Sequence, residues 1–183
     1  MKLAAPLPFL KTVEATQLKF FPVPGMPNSA PPTSVKRPGA EGLRVDVLTP
    51  GAFLGAIVPV PELLWQAQTV PHFDYLLAEP REAAVLAGGH CFPVNLPAPD
   101  RYVWHKLYSS TTRVNDPTKA RKDLVQAATL AAVLVEQDDA SFEDTAHDVP
   151  AVVMTAARTR LPQLREQLAA HPQTLEQFER VLR

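Results

Sequence analysis

All seven glycines and sixteen of the twenty prolines of this 183-residue chain stand before position 100. That asymmetry constrains the fold more than any other feature. Proline removes a backbone donor and fixes φ, while glycine opens the left-handed region. A segment rich in both is therefore built from short strands and turns. The remainder, with four prolines and no glycine, is free to form long helices. The expected fold class is α+β, with a mixed sheet and hairpins over residues 1–99 and a helical bundle packed against it over 100–183.

The elements follow from local pattern. Pro8–Thr16 suits a short helix, Leu18–Val23 an edge strand ended by Pro22, Pro24–Pro32 a loop and Thr33–Lys36 a second strand. Glu41-Gly42 turns the chain into Leu43–Leu48, the clearest strand, ended by Thr49-Pro50-Gly51. Its alternation puts Leu43, Val45 and Val47 on one face and Arg44, Asp46 and Leu48 on the other. Ala56–Val60 is a further strand, His72–Ala78 a helical turn, and Gly88-Gly89 joins Glu82–Ala87 to His90–Val94 as a hairpin. Asp100 is the expected N-cap of a helix running to about Ser110. Asp116-Pro117 opens another that runs to about Glu136 on a buried stripe of Leu124, Ala127, Ala128, Ala131, Leu134 and Val135. Pro150, Pro162 and Pro172 punctuate the remaining helices, and Trp65, Phe73, Tyr75 and Trp104 read as core.

Composition excludes several classes. The longest apolar runs fall short of the ~20 residues that span a bilayer, and Pro6, Pro8 and Lys11 spoil the amino terminus as a secretory signal. Cys91 is the sole cysteine, which rules out an internal disulfide and a multi-cysteine zinc site and points to a reducing, cytoplasmic setting. The net charge of −1 argues against bulk nucleic-acid binding. The five histidines lack ligand spacing, and there is no Gly-rich phosphate loop or serine nucleophile elbow.

That net charge hides a polarity. Between positions 101 and 122, six cations (Arg101, Lys106, Arg113, Lys119, Arg121 and Lys122) face one acid, Asp116, and Asp123 follows. Downstream, Glu136, Asp138, Asp139, Glu143, Asp144 and Asp148 supply six acids without a lysine or arginine among them. Lys119 and Asp123, four apart, can form a surface ion pair. The one-sided excess of cations near a helix start also suits phosphate oxygens. For Asp46 two readings stand: an acid turned to solvent beside Arg44, or an acid held inside a strand for a cation.

The order of LRVDVLTP, the Gly-Gly hairpin, PVNLPAPDRYVWHKLYSSTTR and KARKDLVQAATLAAVL resembles a bacterial family of nucleotidyltransferase-like proteins with the polymerase-β-type nucleotidyltransferase fold. The Tyr-x-x-His-Lys-Leu and Lys-Asp-x-x-Gln-Ala helices carry the likeness, with FFPVPGMPNSAPPTSVKRPGAEG as its middle segment, over about residues 17–137. The resemblance implies a catalytic, metal-binding role for Asp46, as third carboxylate of an acidic triad that holds Mg²⁺. It implies that Lys106, Arg113, Lys119 and Lys122 line nucleotide phosphates, that Asp123 orients a lysine or a metal-bound water, and that His105 supports the site. The family's Gly-Ser helix start and Asp-x-Asp pair are not found before Asp46. The expectation is a nucleotidyltransferase lacking its amino-terminal catalytic half and inactive alone. It would take an NTP if competent, with a partner chain able to supply the missing acids. The alternative is a non-catalytic binding or assembly module that forms a homodimer through exposed strands. A helical nucleic-acid adaptor is a third reading, disfavoured by the pI near 6.5.

Overall fold

The computed structural model describes residues 5–25, 27–137 and 141–183, so Asp138 and Asp139 of the acidic run lie outside the described residues. The fold is α+β, and the chain divides into two compact units, Met1–Phe73 and Asp74–Arg183.

The first unit carries helix α1 (Phe9–Glu14) and two small sheets. In one sheet, strands β1 (Phe21–Pro22), β2 (Ser34–Lys36) and β3 (Arg44–Asp46) pair antiparallel in that order. In the other, β4 (Leu48–Pro50) runs parallel to the central β6 (Trp65–Val70), which pairs antiparallel with β5 (Ile57–Val60). The expected single strand 43–48 is thus two. Val47 donates its N–H to Thr33 O at 2.9 Å and accepts from Gln68 N at 2.9 Å, so the chain changes partners at that residue. Pro50 belongs to β4 instead of ending the strand, which an edge position tolerates. Trp65 is half-buried against Phe9, with ring centroids 5.3 Å apart.

The second unit begins with α2 (Phe73–Leu77), whose first residue closes the unit before it. Strands β7 (Arg81–Ala87) and β8 (His90–Leu96) form a two-stranded ribbon, turned by Gly88 and Gly89 at φ 57° and 78°. A two-residue turn with positive φ at both positions matches the strand twist, hence the glycines. The composition boundary at 99 records backbone vocabulary, whereas the division after Phe73 records packing.

Helices α3 (Pro99–Thr112), α4 (Pro117–Glu136), α5 (Phe142–Thr145), α6 (Ala151–Thr159), α7 (Leu161–Gln167) and α8 (Pro172–Leu182) make the bundle. Asp100 is not the N-cap of α3. Ala98 occupies that position, Pro99 takes the first turn, where its missing N–H costs nothing, and Asp100 follows inside the helix. Asp116 does cap α4, its Oδ1 accepting Lys119 N at 3.0 Å. The stripe on α4 is buried at Leu124, Ala127, Ala128, Ala131 and Leu134, while Val135 is only partly buried. Small alanines there admit close neighbours. Trp104 lies edge-on to Phe142 and Phe178 at 5.8 and 5.5 Å, and those two rings stack at 4.8 Å. Among the described residues no helix is long and apolar enough to cross a membrane.

Candidate functional site

The corner between α3 and α4 places a carboxylate against two cations. Arg113, at the C-cap of α3, leaves helical geometry with φ −83° and ψ 57°. Asp116 then donates its N–H to Arg113 O at 3.2 Å and caps the next helix. The short corner holds the start of α4 beside the end of α3, so Asp123, about two turns in, faces Lys106.

Asp123 is 3% exposed. Its Oδ1 accepts from Lys106 Nζ at 2.6 Å and its Oδ2 from Arg113 Nε at 2.5 Å. A buried carboxylate is costly without compensation, and here each oxygen has its own cation. The cations are less buried, with side chains 18% and 39% exposed for Lys106 and Arg113. Two positive charges on one negative leave the cluster net positive and reachable by solvent. Lys106 Nζ also lies 5.2 Å from the centre of the Tyr102 ring.

The other candidates are placed differently. Lys119 does not pair with Asp123: its Nζ lies 3.0 Å from Asp116 Oδ2. Asp123 points inward and already holds two cations, so the i, i+4 spacing is overridden. Lys122 is exposed on α4, with no ion-pair partner among the described residues. His105 is buried, with Ser109 Oγ 3.4 Å from its Nδ1 and the Tyr108 ring 6.2 Å away. Asp46 belongs to the first unit. It is exposed on β3, where Arg44 Nε donates to its Oδ1 at 2.7 Å.

A magnesium ion takes several oxygen ligands. Among the described residues no group of three or more His, Cys, Asp or Glu side chains can hold a metal. Asp46 already has a cationic partner in Arg44. The described residues do not by themselves fit a Mg²⁺ site.

Beside the Asp123 cluster lies a cavity of about 530 Å³, bounded by the end of α3, the start of α4 and the α6–α7 junction. Arg113, Arg121, Arg160, Gln163, Glu166 and Gln167 line it.

Compared with known families, residues 2–150 match a nucleotidyltransferase family model. The chain belongs to the nucleotidyltransferase family. No curated protein and no solved structure matches it. The matched stretch contains Asp46, Lys106, Arg113, Lys119, Lys122 and Asp123. It ends before α6 and α7, so Arg160 and Gln163 lie beyond it.

Those last two were not anticipated. Arg160, Gln163 and Gln167 recur at three- and four-residue spacing, which puts them on one helical side. That polar stripe was the available signal, but a solvated face has the same pattern. Arg160 is held by Ser110: its Nε donates to Ser110 Oγ at 3.1 Å and its Nη2 to Ser110 O at 2.5 Å.

Proposed function

We propose that this chain supplies the phosphate-holding wall of a nucleotidyltransferase, binds a nucleoside triphosphate, and does not transfer a nucleotide on its own. The carrying observation is the net-positive cluster of Lys106, Arg113 and Asp123, a buried carboxylate with partly exposed cations. Asp123 fixes the two cations in place, and their remaining N–H donors are available to phosphate oxygens. Lys122, exposed on α4 next to Asp123 in the chain, adds a further cation. Family membership supports the substrate class. On this reading transfer is not expected from the chain alone, because among the described residues no cluster of acids stands ready to hold the metal that nucleotidyl transfer uses.

The test is a melting-temperature shift with millimolar ATP or GTP, since a ligand of the native state stabilises it by RT ln(1 + [L]/Kd). Lys106→Ala and Lys122→Ala should each weaken binding by about tenfold. Among the described residues Lys122 has no ion pair to lose, so its variant separates binding from folding. No shift with any NTP rejects the reading.

A second reading, assembly through a second copy, draws on the β7–β8 ribbon. Among the described residues the strands pair only with each other, and Val85, Leu86, Phe92 and Leu96 are exposed on them, Leu86 at 78%. Unpaired edges with apolar side chains invite strand addition. Light scattering checks it: a dimer that Leu86→Lys dissociates supports the reading, and a monomer at all concentrations rejects it.

A further inference from the structure

We infer that the cavity between α3, α4 and α7 is a second anion site, which takes a small phosphomonoester without metal. It goes beyond the nucleotide reading, needing neither Asp46 nor Lys106.

Three arginines from different elements converge on this concavity. Arg113 gives its Nε to a carboxylate it shares with Lys106. Arg121 has no ion-pair partner among the described residues, and the hydrogen bonds of Arg160 go to the neutral Ser110. Glu166 is the one acid of the lining among the described residues, which leaves the lining net positive. Like charges gathered in a recess with protein walls raise the local potential, and guanidinium forks match phosphate oxygens.

A further observation comes from Gln163. Its Oε1 is buried and accepts no hydrogen bond among the described residues. An unsatisfied buried acceptor is unfavourable. Gln163 lines the cavity, and turning its side-chain amide toward a ligand hydroxyl would satisfy that oxygen while the arginines hold the phosphate. The volume of about 530 Å³ exceeds what one phosphate needs and lies within the ~300–1,000 Å³ typical of small-molecule sites. Phosphate plus a hydroxylated body is the chemistry that fits. The same phosphate chemistry can come from a free ester or from the tail of an NTP.

The experiment is calorimetric titration of the full chain without magnesium, using ribose 5-phosphate, inorganic phosphate, ATP and ribose as probes. Ribose 5-phosphate should bind, and ribose should not. Arg121→Ala, which removes no ion pair among the described residues, should weaken ribose 5-phosphate by about tenfold or more. Arg158→Ala, an exposed cation that is not part of the cavity lining, should leave it unchanged. Gln163→Leu should weaken ribose 5-phosphate but not inorganic phosphate. ATP that binds more tightly than ribose 5-phosphate, and loses that affinity in Arg121→Ala, would assign the site to the tail of an NTP and overturn the free-ester reading. Absence of binding at millimolar concentration, equal losses in Arg121→Ala and Arg158→Ala, or equal affinity for ribose would also overturn it. Lys106→Ala tests the nucleotide reading separately, because Lys106 is not in the lining.

Discussion

Asp123 is the residue on which the helical corner depends. Removing its carboxylate leaves Lys106 and Arg113 close together without a counter-charge. Asp123→Ala should therefore lower the unfolding free energy by on the order of 3 kcal/mol, the low end for a broken buried pair, because both cations keep some solvent. Urea denaturation measures it. Asp116 is the opposite case, an exposed cap. The Lys119 backbone N–H, and then its ammonium, hold the Asp116 carboxyl below its ordinary value. A carboxyl lowered in the folded state stabilises it above the unfolded value of about 3.9, and that contribution is lost as pH falls further. The melting-temperature advantage of wild type over Asp116→Ala should be full at pH 7 and shrink below about pH 4. The cap was legible in the sequence because its partner is three residues away. Asp123's partners lie 17 and 10 residues away, and spacing rules that find i, i+4 pairs pointed to Lys119 instead.

At the scale of elements, the helices were the readable part. Asp116-Pro117, Pro162 and Pro172 mark starts that local chemistry alone determines. The sheets were less readable. Strand β6, central in its sheet, buries Ala67 and Thr69, which carry little apolar signal, and so it went unrecognised. The break at Val47 depends on two hydrogen bonds to distant strands, which alternation cannot reveal. Two substitutions test this packing. A Cβ on Gly51 would stand 2.5 Å from Thr69 Cβ and Cγ2, and Thr69 is buried. Gly51→Ala should destabilise by about 1–3 kcal/mol through overpacking. Trp104→Ala, which empties the space beside Phe142 and Phe178, should cost about 3–5 kcal/mol. Both are read from denaturation midpoints, with circular dichroism to confirm that the fold persists.

For the whole molecule, a net charge of −1 conceals a run of cations, Lys106, Arg113, Lys119, Arg121 and Lys122, on α3, α4 and the corner that joins them. The family was legible from the order and spacing of short segments, and residues 2–150 match a nucleotidyltransferase family model. The cavity beside the corner was not, because it needs α7 folded back against the start of α4, a long-range arrangement. Tyr75 shows how this unit uses its charges structurally as well. Burial pushes its hydroxyl's pKa up, and Arg101 sits over the ring at 4.9 Å. The proposed role of the corner is narrower, that the exposed sides of Lys106 and Arg113 take nucleotide phosphates. Calorimetric titration of ATP into the full chain tests it most directly, with Lys122→Ala and Lys106→Ala alongside. The account predicts saturable binding by wild type, weakened about tenfold in each variant. Wild type that releases no binding heat at millimolar ATP, or variants that bind as tightly as wild type, would contradict it.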